Sequence, residues 1–438
     1  MVKLFKKNKT IVISAFLIAF ICIFSFMNRF NVSAEVQYKI VKDNNGINWQ
    51  YGYDPSTRRL EVSFFDSDNP ITQITIPNKT FFTSKDSSIG TVNTYTFTNY
   101  TSHNLGTPRT FSSAITKLDL SNVNVVDGIQ PLSSNTNSVF QVILNPNGSQ
   151  IGYDVFRDKK INISNLNKVT GISGGAFYNT SFADTDIKLP NLFSLGDGSF
   201  EQSNITSLEI NSGALGVSSF KNCKSLTSVK LLDGVTRLND SAFEGDENLT
   251  SFTFNNVTSV GNRVFKDCTK WNIDIGNTKI EKLGSEVFSG CTSFTKTTIP
   301  SKVTKLNYRA FYQSGMTDVN INNVYDIDTQ AFDGANLSQI DLKNVERIWY
   351  GAFANNHLTE VYLPKSIVNI YAASIFYNNP LRKLTIAYDT LIARTNSYTS
   401  NGNTYTYASP DFGTHNHIWV ILDGDGYYSD RTKNTSNF

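Results

Sequence analysis

Apolar and polar positions along this chain recur with a period of about twenty-two residues over half its length. Each unit opens with a strand pattern L-x-x-I-x-I, as in Leu226-Thr-Ser-Val229-Lys-Leu231, Met316-Thr-Asp-Val319-Asn-Ile321 and Leu337-Ser-Gln-Ile340-Asp-Leu342. On a strand the last two apolar residues point inward and the residue between them points outward. A second apolar pair follows, three residues apart: Val303 and Leu306, Val324 and Ile327, Val345 and Ile348. A phenylalanine closes the unit, at Phe177, Phe200, Phe220, Phe243, Phe265, Phe288, Phe311, Phe332, Phe353 and Phe376. Units this short cannot bury their own apolar face and must lean on their neighbours, which predicts a stacked solenoid. A residue at one fixed place in every unit is read as a core column, not as a ladder for ligands.

Upstream of about Asn167 the period loosens. Trp49, Tyr51 and Tyr53 alternate with polar or small residues, and so do Leu60, Val62 and Phe64 beyond a turn-rich Asp54-Pro55-Ser56-Thr57. This patterning predicts a β-hairpin that caps the first repeat. Thr72–Ile76 and Thr116–Leu120 read as the first two repeat strands, separated by an insertion over 78–114 rich in Thr, Ser and Asn. The stretch 121–165 offers one further strand, Phe140–Leu144, and reads as degenerate repeats. Beyond Thr390 the pattern stops; Tyr405, Tyr407 and the run Ile418–Leu422 predict two strands in a C-terminal cap.

The first 34 residues change the charge picture. Lys3, Lys6, Lys7 and Lys9 precede an apolar run from Ile11 to Phe26 and a small-residue site, Val32-Ser33-Ala34. That layout predicts a signal peptide cleaved after Ala34, with an uncleaved membrane anchor as the competing reading. Cleavage removes those four lysines and Arg29 from the 39 basic residues, leaving 34 against 37 acidic ones, or about −3. A basic footprint for nucleic acid or anionic lipid is absent. At 17% charged and 13% aromatic, the composition suits an ordered, β-rich protein with a polar surface.

Chemistry-bearing residues are sparse. Beyond Cys22 of the leader stand Cys223, Cys268 and Cys291, each three residues after its phenylalanine, where other units place Thr180, Ser203, Asp246, Ser314, Ala335, Asn356 or Asn379. An odd count and a shared small slot point to buried free thiols, with a Cys268–Cys291 bridge as the alternative. His415 and His417, near Asp411 and Asp423, are two ligands without a demonstrated third or fourth, too few for a metal site. Asp423-Gly-Asp425-Gly fails the EF-hand pattern, because Tyr427, Tyr428 and Asn434 stand where Asp or Asn, Gly and Glu are required. Neither a catalytic residue, a cofactor nor a metal site is predicted.

The L-x-x-L-x-L core without the expected following Asn or Cys, Ile299-Pro300 or Leu363-Pro364 after the strand, then V-x-x-I/L, Ala-Phe and a small residue, together resemble the BspA-like leucine-rich repeat family. The resemblance spans about 167–386. It implies a right-handed, curved leucine-rich-repeat β-solenoid with strands on the concave side, in a class of exported or surface-attached bacterial proteins implicated in adhesion. The expected organisation is a signal peptide over 1–34, an N-terminal β-hairpin cap over 35–66, irregular repeats with an insertion over 67–166, regular repeats over 167–390 and a C-terminal β cap over 391–438.

What varies between units is where recognition can lie. Outward residues of the concave strands are Glu209, Lys230, Thr253, Asp274, Thr298, Asn320, Asp341, Tyr362 and Thr385; Glu209, Lys230, Asp274, Asn320, Asp341 and Tyr362 are taken as the binding candidates. An aromatic group, Tyr308, Trp349, Tyr350 and Tyr371, lies between the second apolar pair and the phenylalanine and forms a second candidate patch. The expected function is non-enzymatic binding of an extracellular protein or glycan by a secreted or cell-surface protein. The alternative is a structural spacer without a specific ligand.

Overall fold

The computed structural model describes residues 36–67, 71–98, 115–127, 139–370 and 375–387, and the backbone of strands Ser397–Ser400, Asn403–Thr406, Trp419–Asp423 and Tyr428–Ser429. The expected leader and its cleavage site lie outside these residues.

Each unit contributes to two rows of parallel strands. In the first row, Asp186–Leu189, Ser207–Ile210, Ser228–Leu231 and Ser251–Thr253 pair in register. Val229 and Leu231 are each 1% exposed, while Lys230 between them faces solvent, as the alternation requires. The second row is shorter: Lys305–Leu306, Asp326–Ile327, Arg347–Ile348 and Asn369–Ile370 pair in turn. Its apolar pairs, Val303 with Leu306 through Val345 with Ile348, are all buried. A third ladder runs through the phenylalanine turns, where the Phe288 amide donates to the Ala310 carbonyl at 2.9 Å and Phe311 to Ala331 at 2.8 Å. The result is a β-solenoid of about eleven turns.

All ten phenylalanines are fully buried and stacked, and an eleventh, Phe156, extends the column one unit upstream. Ring centroids are 5.4 Å apart from Phe156 to Phe177, 5.5 Å from Phe265 to Phe288 and from Phe288 to Phe311, and 5.7 Å from Phe353 to Phe376. Burying each ring contributes roughly 1.5–3 kcal/mol. Beside the column, Trp271 is fully buried, with ring centroids 4.3 Å from Phe265 and 5.8 Å from Phe288.

The small slot three residues after each phenylalanine has a specific task. Cys223, Cys268 and Cys291 donate their thiol protons to the carbonyls of Phe200, Phe243 and Phe265, one unit back, at 3.1, 3.2 and 3.0 Å. Thr180 does the same to Phe156 at 2.6 Å, Asn356 to Phe332 at 2.7 Å and Asn379 to Phe353 at 2.9 Å. In these six units a short side chain that carries a proton fills the slot, whereas Ser203 meets Cys223 Sγ at 3.4 Å, Ser314 Oγ has no partner among the described residues and Ala335 has no proton to give. The three cysteines are free, and burial pushes all three thiols up, so they remain protonated and unreactive. Alkylation followed by peptide mapping is expected to modify none of the three in the native protein and all three in denaturant. A linked Cys268–Cys291 peptide would contradict this.

At the N-terminal end, β1 (Tyr38–Lys42), β2 (Ile47–Asp54) and β3 (Arg59–Ser67) form an antiparallel ribbon. Trp49 lies opposite Phe64 and Tyr51 opposite Val62, so the alternation read from sequence is the register. β3 then pairs parallel with a strand inside the insertion, Thr94–Thr98, and the ribbon ends the second row. The first row starts at β4 (Gln73–Thr75), which pairs with Lys117–Asp119, and parallel pairing continues through 140–143 and 160–164. The stretch that reads as degenerate in sequence thus contains paired solenoid turns. Between β4 and Thr94–Thr98, here β5, lies the helix α1 (Lys79–Lys85), which no sequence pattern indicates. Asn78 caps it, accepting the Phe81 amide at 3.1 Å, and Phe82 anchors it 5.3 Å from the Tyr51 ring.

At the other end, Trp419–Asp423 pairs parallel with Lys383–Ala387, and Tyr428–Ser429 closes that row antiparallel. Antiparallel strands thus end the second row at the N-terminal side and the first row at the C-terminal side, blunting those two edges against added strands. His415, His417 and Asp425 lie outside the described residues.

Candidate functional site

The outward residues of the first row are largely committed to one another or to their own turns. Glu209 and Lys230 sit opposite each other in register, with Lys230 Nζ 2.9 Å from Glu209 Oε2. Similar cross-unit pairs join Lys296 to Asp318 at 2.8 Å and Lys383 to Glu360 at 3.7 Å. Exposed pairs of this kind contribute about 0.2–1 kcal/mol and leave little net field.

Asp274 and Asp341 do not lie on strands, contrary to the expected pattern. Asp274 Oδ1 accepts the amides of Gly276 and Thr298, both at 3.0 Å, and the Thr297 hydroxyl at 2.9 Å. A side-chain oxygen here satisfies amides that a neighbouring strand's carbonyls would otherwise take. Burial pushes the Asp274 carboxyl up, but these donated hydrogen bonds outweigh it and hold the group below the usual carboxylate range. Asp341 accepts the Lys343 amide at 3.0 Å and Asn320 accepts the Asn322 amide at 3.1 Å, each fixing the turn that follows it. Of the six first-row candidates, Tyr362 offers an aromatic ring that is 47% exposed.

The second candidate group is differently placed, on the outside of the second row and its following turn. Tyr308 is 37% exposed and Tyr350 49%. Their backbone carbonyls accept the amides of Glu286 and Gln330, 2.8 and 2.9 Å away in the preceding units, so both rings project from a fixed frame. The Arg309 guanidinium stands 5.0 Å from the Tyr308 ring centroid and 4.5 Å from that of Tyr312. Trp349 is half-buried, its Nε1 donating to Asp326 Oδ1 at 2.9 Å, and Asp326 also takes Arg347 at 3.2 Å. Trp349 therefore braces the patch more than it presents it. Tyr371 lies outside the described residues.

One member of this surface is missed by the sequence reading. Tyr325 is 40% exposed in the unit between Tyr308 and Tyr350, with Arg347 5.8 Å from its ring centroid. Its position between Val324 and Ile327, the second apolar pair, was the available signal. Tyr308 and Tyr350 stand at the same place in their units, two strand spacings or roughly 10 Å apart along the solenoid, and Tyr325 stands on the unit between them four residues earlier in the repeat, beside Thr304.

The model of the BspA type leucine rich repeat region matches in overlapping segments from 111–226 to 325–408. The chain belongs to the BspA-type leucine-rich repeat family. Its repeats build a β-solenoid, and proteins of this class are typically non-catalytic. Among solved structures, a leucine-rich repeat protein from Bacteroides ovatus is 16% identical, with 90% of this chain and 100% of that one covered at a TM-score of 0.49. A leucine rich cell surface protein from Faecalibacterium prausnitzii is 13% identical over 89% and 96% at 0.34. The pneumococcal vaccine antigen PcpA is 15% identical over 88% of each chain at 0.34. No curated protein sequence matches the chain.

Among the described residues, no helix of this BspA-type chain is long and apolar enough to cross a membrane. No group of three His, Cys, Asp or Glu side chains there could hold a metal ion.

Proposed function

We propose that this protein is exported and works without catalysis, binding an extracellular protein or glycan through its second-row aromatic surface. The supporting observation is the exposure of Tyr308, Tyr325 and Tyr350 on consecutive units. Half-exposed tyrosines bring large contact area at low entropic cost. The first-row candidates support recognition less well, because Glu209 and Lys230 neutralise each other and Asp274 and Asp341 hold turns. Tyr362 remains a contributor from that row.

The test is adhesion to arrayed extracellular matrix proteins and glycans. Tyr308→Ala with Tyr350→Ala is expected to weaken binding by tenfold or more, on the order of 1.4 kcal/mol, while Lys230→Glu changes it little. Binding that survives the tyrosine pair and fails with Lys230→Glu and Asp341→Lys would move the site to the first row. Self-association with no ligand on the array would make the protein a spacer.

A further inference from the structure

The insertion that no repeat pattern explains builds one wall of a cleft. Near the start of the solenoid, α1 and the segment before β5 overhang the turns that join first-row to second-row strands, enclosing about 710 Å³. That is within the usual range of ligand sites, roughly 300–1,000 Å³. Its described lining carries amides, hydroxyls, a substantial apolar share and one cation, Lys79, and no carboxylate, imidazole or thiol.

Five of the lining side chains are amides with unspent hydrogen-bonding capacity: Asn78, Asn93, Asn124, Asn147 and Gln150. Two are half committed. Asn124 Oδ1 accepts the Tyr95 amide at 2.8 Å and Asn78 Oδ1 accepts the Phe81 amide at 3.1 Å. In each case one end of the amide is fixed to the frame, and Nδ2 has no partner among the described residues. The side-chain amides of Asn93, Asn147 and Gln150 have no partner there at either end. Asn78 and Asn124, held at one end and unpaired at the other, are preorganised for a polar ligand, and the exposed Asn93, Asn147 and Gln150 can turn to meet it.

The lining selects the ligand's chemistry by elimination. Without carboxylates the cleft cannot hold a cation, and a single lysine is a weak anion site. An apolar ligand would leave these amides unpaired at a cost for each. A peptide added as a strand is excluded at β5, which is already paired on both sides, with β3 and with Val125–Asp127. What remains is a neutral molecule dense in groups that both donate and accept, since each amide offers a carbonyl oxygen and an NH₂ side by side. We propose that this cleft is a saccharide site that takes a neutral oligosaccharide through its hydroxyls. It is separate from the aromatic surface and stands whether or not that surface binds.

The experiment uses the full chain on an array of neutral hexose and N-acetylhexosamine oligosaccharides, printed beside sialylated and sulfated analogues, with titration calorimetry on the best neutral binder. Asn147→Ala with Gln150→Ala removes two amides that hold nothing else, so thermal unfolding should stay unchanged while affinity falls on the order of tenfold. Tyr308→Ala with Tyr350→Ala should leave that affinity intact, which separates this site from the aromatic one. Three results would overturn the assignment: no neutral glycan retained, undiminished affinity in the Asn147/Gln150 variant, or capture only of charged glycans that Lys79→Ala abolishes.

Discussion

Phe288→Ala is expected to cost about 3–5 kcal/mol and to divide the solenoid's unfolding into two transitions. The ring stacks on Phe265 and Phe311 at 5.5 Å on each side and meets Phe294 at 5.0 Å and Trp271 at 5.8 Å. Removing it leaves a cavity in the middle of the column, where neighbours held by three hydrogen-bonded ladders cannot collapse inward. Units of a solenoid are stable only through their interfaces, so weakening one interface lets the halves on either side unfold separately. Phe288→Leu, which retains most of the volume, should cost less than about 1.5 kcal/mol and keep a single transition. Calorimetry on both variants checks this, and an unchanged profile for Phe288→Ala would remove the ring from the core.

The second large effect runs in the opposite direction. Asp246→Asn is expected to stabilise the protein at neutral pH by about 1–3 kcal/mol. Asp246 is fully buried in the donor slot of its unit, where Oδ1 accepts the Cys223 amide at 2.8 Å and Oδ2 has no partner. In six other units, such as those of Thr180, Cys268 and Asn356, this slot gives a proton to the preceding phenylalanine carbonyl, which an ionised carboxylate cannot do. Burial pushes the Asp246 carboxyl well above its ordinary value of 3.8.

The sign of the pH dependence follows. Below about pH 4 both folded and unfolded chains hold the proton, and stability is undiminished. Above that, the unfolded chain releases it first, so stability falls by about 1.4 kcal/mol per pH unit until the folded carboxyl also ionises. Asn supplies the same geometry without a titrating proton, as Asn356 does with Phe332 at 2.7 Å. The gain from Asp246→Asn should therefore vanish below pH 4, grow above it and level off once the folded carboxyl ionises, as read from denaturant midpoints across pH. A gain that does not change with pH would show that ionisation is not its source.

The parts legible in the sequence are those the repeat enforces. The phenylalanines, the second apolar pairs and the hairpin register of Trp49 against Phe64 could be read because one face is buried at a constant period. Phe156 was missed because the units around it are interrupted, although its ring stacks on Phe177 at 5.4 Å. α1 was missed because Thr80, Phe81, Phe82 and Thr83 are poor helix formers; Phe82, wedged between Tyr51 and Tyr95, holds it from outside the segment. The slot after each phenylalanine read as merely small, since its hydrogen bond is made to another unit.

The candidate site divides along the same line. The variable positions of Tyr308 and Tyr350 marked them as candidates but left exposure and packing between repeats both open, and pairing of Glu209 with Lys230 and of Trp349 with Asp326 depends on the register between units. An amide-lined cleft assembled from an insertion and several turns leaves no periodic trace at all.

The division between a recurring frame and freely varying surface positions is tested most directly by native-state hydrogen exchange across the phenylalanine ladder. Each of these amides, from Phe177 to Phe353, donates to a carbonyl one unit ahead, as Phe177 does to Ser199 at 2.7 Å and Phe353 to Ile375 at 2.9 Å. A continuous core predicts slow and similar exchange at every one of them in the wild-type protein. Rapid exchange at any interior member, such as Phe265 or Phe288, would contradict it.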